Sequence, residues 1–126
     1  MWHIHCFVFS PIQENTYILY NDHKQCIIVD PGCYFKEEQE ELKAFIVRNG
    51  LKPEMLLNTH CHLDHVFGNQ FVYDTWQLIP HIHKNEELVL QFASKSGEMY
   101  NLPFKNYSGQ LNFLSEGDKL SLSEDS

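Results

Sequence analysis

The chain has 126 residues, 43% of them apolar and 13% aromatic, which is enough to bury one sizeable core. Its 17 acidic against 9 basic side chains give a net charge of -8, which disfavours nucleic acid as a partner because the chain would repel a phosphate backbone. No secretory signal, bilayer-length apolar stretch or paired cysteine spacing is visible. We therefore expect a single domain over 1–126, cytoplasmic, without a membrane partner and with reduced thiols.

The first part of the chain predicts three strands followed by a helix. Alternating branched and aromatic residues over 3–9, 16–20 and 25–29 are typical of strands. From 36 to 49 the apolar residues follow a helical period, with acidic residues in the first turn. Gly50 is the natural C-terminal stop.

A second group of elements follows the first helix. The short apolar run 55–57 predicts a buried strand, and open α/β sheets usually place their chemistry at such strand ends. Residues 66–76 are predicted to form a helix. A short extended piece over 77–79 is expected to end at Pro80.

The last elements are a helix and two weaker strands. Residues 86–99 predict a helix capped by Asn85, with Leu88 and Phe92 facing inward. The two strands are predicted at 111–114 and 119–122.

The segment directly after the 55–57 strand concentrates metal-binding side chains; residues 59–65 read THCHLDH. His60 and His62 are two apart, so both imidazoles of an extended segment point the same way and can bind one cation. Asp64 and His65 follow as the chain turns into a helix, and they offer a carboxylate and a third imidazole to a neighbouring position. An ordinary polar loop is the alternative, and the density of ligand types after a buried strand disfavours it.

This segment, with Gly68 close behind it, resembles the signature loop of the metallo-β-lactamase superfamily. Upstream, residues 13–17 (QENTY) resemble the start of that family's second strand, and residues 28–32 (IVDPG) resemble its first acidic motif. The match covers nearly the whole chain and looks closest to the glyoxalase II-like (hydroxyacylglutathione hydrolase-like) branch. It implies an α/β (α+β) fold, the N-terminal half of an αβ/βα sandwich whose mixed sheet carries helices on its outer face.

The resemblance also implies a site and an activity. His60 and His62 would bind one metal, and Asp64 and His65 a second. The metal is usually zinc, with iron or manganese as alternatives, and Asp64 also orients the attacking water as the catalytic residue. Asp30 would brace the loop without binding metal. The implied reaction is hydrolysis of a small thioester or ester such as a hydroxyacylglutathione.

The chain departs from the family in its second half, which supplies the remaining ligands. No histidine follows His83, so we expect a truncated chain and, as an alternative function, a non-catalytic metal-binding or assembly module completed by a partner chain. A persulfide-oxidising iron enzyme of the same fold is another alternative. We interpret His81 and His83 as structural because a helix start follows them, and thiolate ligation by Cys61 is a minor alternative.

A half-sandwich would also leave the inner face of its sheet uncovered. Alternate residues of the first three predicted strands would form an exposed apolar patch larger than monomers usually tolerate. We therefore expect a homodimer in which a second copy covers this inner sheet face.

Overall fold

The computed structural model describes residues 2–115, and the strand predicted over 119–122 lies outside them. The strands are β1 (Trp2–Phe9), β2 (Glu14–Asn21), β3 (Gln25–Val29), β4 (Lys52–Leu57), β5 (Pro80–His83) and β6 (Asn112–Leu114). The helices are α1 (Lys36–Arg48), α2 (Leu63–Val66), α3 (Asn69–Trp76) and α4 (Glu87–Met99), which a 3-10 turn over Lys84–Glu86 precedes. None of these helices is long and apolar enough to cross a membrane.

The strands form one mixed sheet in the order β1-β2-β3-β4-β5-β6. The first three pair antiparallel, whereas β3 to β6 run parallel because helices connect consecutive strands. At the centre, Ile18, Ile28 and Leu56 lie side by side across β2, β3 and β4 and are fully buried. The predicted mixed α+β sheet is confirmed, and the carboxyl ends of β3, β4 and β5 meet at one edge.

The helices cover one face of this sheet. Leu42 and Ile46 of α1 pack on the Ile18–Ile28–Leu56 row, together with Val72 of α3. Farther along the same face, α2 and α4 pack against Ile82 of β5. On the opposite face Ile27 and Val29 pack only against neighbouring strand residues, so no helix of the described chain covers that face.

The helix predicted over 66–76 is divided in two by the turn at Phe67 and Gly68. The Gly68 amide donates to the Pro31 carbonyl at 2.7 Å, and a Cβ at position 68 would collide with Cys33 Sγ. The helical path is interrupted there because the backbone must approach the loop after β3 this closely. The extended piece predicted over 77–79 is wrong: Gln77 has a left-handed φ of 57°, ends α3, and leaves the strand to start at Pro80.

The helix predicted over 86–99 is present, but the prediction of which residues face inward was wrong. Leu90 and Ala93 face the core, while Leu88 is 76% exposed and Phe92 51% exposed. Leu88 with Phe92 and Leu90 with Ala93 both fit a helical period. α4 packs the second pair, which includes the small Ala93, against α2. The predicted Asn85 cap was also wrong, since the Asn85 backbone N–H instead donates to His83 Nδ1 at 3.1 Å.

Candidate metal centre

The parallel pairing of β3 and β4 brings Asp30 next to the histidine loop. Val29 and Leu57 are register partners at the ends of these strands, and the Asp30 amide donates to the Leu57 carbonyl at 2.9 Å. Residues 58–62, which follow β4, therefore start beside the residue that follows β3. Asp30 and Thr59 are 29 positions apart in the sequence, so it is the pairing of the two strands that brings them together.

Asp30 is buried and binds the first residue of the loop through both carboxylate oxygens. Its Oδ1 accepts the Thr59 amide at 2.7 Å, and its Oδ2 accepts the Thr59 hydroxyl in a short hydrogen bond. Its φ of 52° is left-handed, a conformation that Asp tolerates better than most residues. Oδ2 also lies 3.1 Å from His65 Nδ1, so this carboxylate contacts both ends of the loop.

His65 is oriented with its two ring nitrogens in different surroundings. Nδ1 faces Asp30 and, at 3.6 Å, Glu14 Oε1, whereas Nε2 lies 3.7 Å from Asp64 Oδ2. The Asp30 carboxylate within hydrogen-bond distance raises the pKa of His65 against the opposing effect of burial. A carboxylate behind one ring nitrogen is the usual support for a histidine whose other nitrogen binds metal.

The other loop histidines lie close to this pair. The His60 and His62 rings are 6.3 Å apart between centroids and nearly parallel, at 13°, as expected for alternate residues of an extended segment. The His60 ring is 5.5 Å from that of His65. Across residues 2–115 no hydrogen bond engages the His62 ring or the Asp64 carboxylate, so both keep their lone pairs available.

The donor set fits a divalent metal ion. Imidazole and carboxylate ligands suit zinc, iron and manganese, and the loop supplies three of the first and one of the second. Among residues 2–115, however, no three of these four side chains bring their ligand atoms within 4.8 Å of one another, although Asp64 Oδ2 and His65 Nε2 are 3.7 Å apart. A typical site needs three or four protein ligands, so the described part of the loop is an incomplete set.

Glu14 is a member of this site that the sequence reasoning missed. It is buried at the start of β2, and burial raises its pKa to about 9. A Cβ on Gly32 would collide with Glu14 Oε2, so the glycine after Asp30 makes room for the carboxyl group. The feature of the sequence that indicates this burial is that Glu14 and Thr16 are alternate residues, both on the inward side of β2.

Thr16 links Glu14 to the loop that follows β3. Its Oγ1 accepts the Gly32 amide and lies 2.9 Å from both the Asp30 carbonyl and Glu14 Oε2, so two acceptors share its one proton. The hydrogen bond from Thr16 lowers the pKa of Glu14, and the larger effect of burial outweighs it.

Glu14, Asp30 and His65 form a cluster whose ligand atoms lie within 4.8 Å of one another. A metal on this buried side of His65 is disfavoured because Thr59 already occupies both Asp30 oxygens. We therefore interpret the cluster as the support behind the loop. Glu14 and Asp30 line the same pocket of about 310 Å³ as His60, Asp64 and His65, whereas His62 is not part of its lining.

The remaining candidates lie apart from this pocket. Cys61 is fully buried in the α2–α4 core, where burial raises the pKa of its thiol to about 12, so thiolate ligation is disfavoured. Its backbone N–H donates to Glu86 Oε1 at 2.9 Å, which ties the loop to the start of α4. The His83 ring, at the end of β5, accepts the Asn85 backbone N–H through Nδ1.

Comparison with known proteins relates this geometry to a family. The family model described as the metallo-beta-lactamase superfamily matches residues 10–113. "Probable metallo-hydrolase YqgX" of Bacillus subtilis (strain 168) is 38% identical over 70% of this chain and 39% of its own length. A hydroxyacylglutathione hydrolase of Buchnera aphidicola subsp. Baizongia pistaciae (strain Bp) is 36% identical over 48% of this chain and 23% of its own length.

A solved structure gives the same relationship in three dimensions. TTHA1623, crystallised in a di-iron-bound form, superposes with a TM-score of 0.81 at 25% identity, over 92% of this chain and 56% of that one. The chain thus spans about half or less of the length of the relatives it matches.

Proposed function

This chain belongs to the metallo-beta-lactamase superfamily, and on that premise we propose that its histidine loop serves a metal-dependent hydrolase of small thioesters. The observation that carries the proposal is that three imidazoles and one carboxylate lie in a single loop, which the buried Asp30 carboxylate contacts at both ends through Thr59 and His65. The relatives named hydroxyacylglutathione hydrolase support a thioester as the substrate class.

In this proposal His60 and His62 would hold one metal ion, and Asp64 and His65 would hold a second. Zinc is our first choice, with iron supported by the di-iron form of a structural relative and manganese as a further alternative. When bound, such ions polarise a substrate carbonyl and lower the pKa of water toward neutrality.

The protein groups have separate tasks in the reaction. Asp64 accepts a hydrogen bond from the attacking water and so orients its lone pair toward the carbonyl carbon. Asp30 and Glu14 do not touch the substrate; they keep Thr59 and His65 in position behind the ligands. Water adds to the carbonyl carbon, the carbon–sulfur bond breaks, and the sulfur leaves as a thiol with a proton from that water.

An alternative function is a metal-binding or assembly module completed by a partner chain. It is favoured by the two-ligand character of each metal position within residues 2–115. The two proposals differ in what the isolated chain does, because a module binds metal without turnover until its partner is present.

A thioester assay on the metal-loaded chain tests the proposal. We expect hydrolysis of a hydroxyacylglutathione that is slow beside the roughly 10 per second of ordinary enzymes, and that disappears in His60→Ala. His23→Ala removes an exposed turn histidine and is the matched control. Metal-dependent hydrolysis that persists unchanged in His60→Ala would contradict this assignment, and metal binding with no turnover would favour the assembly module.

A further inference from the structure

α4 carries apolar side chains on two sides, and only one side is used by the core. Leu90 and Ala93 are buried against α2. Leu88 and Phe92, one turn apart, are 76% and 51% exposed. A surface helix normally has one apolar face, so a second apolar stripe indicates a ligand or partner.

This second stripe forms one wall of a cavity of about 1060 Å³, which we call the α4 groove. The volume is at the upper end of the range of about 300 to 1,000 Å³ for small-molecule sites. Its lining includes Ile12, His62, Asp64, Leu88, Phe92 and Tyr100.

The α4 groove is continuous with the candidate metal centre. His62 and Asp64 are both part of its lining, and both are ligands in the proposed site. Leu88, Phe92 and Tyr100 lie four and eight residues apart on α4 and its last turn, so their stripe extends roughly 18 Å along the helix. The groove is therefore polar and reactive at the loop and apolar along the helix.

From this arrangement we propose that the substrate carries an apolar acyl group, which lies in the α4 groove beside His62 and Asp64 of the loop. This inference rests on the proposed hydrolase function, because the loop must hold the reacting carbonyl. It commits to a small molecule with one polar end and a linear or aromatic apolar body. A short hydroxyacyl group could still be hydrolysed at the loop, but it would leave Leu88, Phe92 and Ile12 exposed and would gain no affinity from them.

The α4 groove predicts how binding affinity depends on the length of the ligand's apolar chain. Burial of one methylene contributes roughly 0.8 kcal/mol, which corresponds to an affinity gain of up to about fourfold per methylene. A homologous series should therefore bind more tightly with each added carbon until the groove is filled.

Binding can be measured apart from catalysis with neutral probes that need no metal. We would titrate 1-butanol, 1-hexanol and 1-octanol into the metal-free chain and follow the backbone amides of Ala93 and Ser96 by NMR. Leu88→Gln and Phe92→Gln test the groove, and both positions are exposed enough to keep the fold. Met99→Gln is the matched control, because Met99 is 70% exposed on the same helix and does not line the groove.

We expect affinity to rise from butanol to octanol in the wild type and in Met99→Gln, and the rise to be lost in the two groove variants. In the metal-loaded chain, the ratio of octanoyl to acetyl thioester hydrolysis should fall in the same two variants. Octanol binding that is equal in all four proteins would overturn the α4 groove as the acyl site. A groove that binds octanol while no thioester is hydrolysed would instead count against the hydrolase function alone.

One further result would overturn the inference. If the wild type is a dimer and Phe92→Gln becomes a monomer, the α4 groove is a protein interface. Light scattering on the same four samples measures this directly.

Discussion

The Asp30 carboxylate accepts hydrogen bonds from both the backbone amide and the hydroxyl of Thr59. One side chain directly after β3 therefore fixes the start of the metal loop after β4. The same group lies 3.1 Å from His65 Nδ1 at the other end of the loop. Loop geometry and histidine orientation therefore depend on one buried side chain that need not touch the metal.

The first prediction concerns this brace. Asp30→Asn keeps the size of the side chain and tolerates the left-handed backbone, but loses the charge and one acceptor oxygen. Because supports behind metal-binding histidines typically affect affinity by about 10- to 100-fold, we expect zinc affinity to fall by that factor. Competition with a chromophoric chelator measures it. Asp74→Asn, an exposed position on α3, should leave the affinity unchanged, and an equal loss there would show that the effect is not specific.

The second prediction concerns Glu14 and pH. The folded chain holds this proton up to about pH 9, whereas the unfolded chain releases it near the ordinary pKa of 4.5. The unfolded state therefore binds fewer protons across this interval, and the free energy of unfolding falls as the pH rises through it. Glu14→Gln resembles the protonated group in charge and keeps an oxygen that accepts from the Thr16 hydroxyl.

We thus expect the metal-free Glu14→Gln variant to lose less stability between pH 5 and pH 8 than the wild type. Urea unfolding at the two pH values gives both slopes. An equal loss in the two proteins would mean that Glu14 is already ionised in the folded chain.

Much of this fold could be predicted from local pattern, because the alternation in β1 and the helical period in α1 are visible in short windows. The loop ligands were visible for the same reason, since His60 to His65 are consecutive neighbours. The inward face of α4 was not, because Leu88 and Leu90 are equally apolar and only packing on α2 selects between them. Glu14 was missed since its burial depends on Gly32 and Asp30, which are distant in sequence.

The third prediction concerns the cysteines. Cys26, Cys33 and Cys61 are buried, and burial raises the pKa of each thiol to about 12, whereas Cys6 is exposed. Since the thiolate is the reactive form, a chromogenic disulfide reagent at pH 8 should modify at most one thiol per native chain, and less than one where a second copy covers β1, but all four in urea. Cys6→Ser should abolish the native reaction. Rapid modification of Cys61 in the native chain would show that the loop does not pack as described.

The fourth prediction concerns association through the uncovered sheet face. Ile4 and Val8 of β1 are 69% and 61% exposed on the face opposite the helices. We propose that a second copy covers this face, so light scattering at micromolar concentration should give twice the 14.9 kDa chain mass. Val8→Lys should shift the chain to a monomer by placing like charges at the interface, whereas Val47→Lys on α1 should not. A wild-type monomer would rule out this dimer.

We propose residues 60–65 as the metal site, and the metal content of the chain tests this assignment directly. Elemental analysis after zinc loading and gel filtration should find nearer one than two ions per wild-type chain, because each position has two protein ligands within the described residues. His60→Ala and His62→Ala should retain almost none, whereas His23→Ala should match the wild type. Equal metal content in all four proteins would contradict the assignment of residues 60–65 as the metal centre.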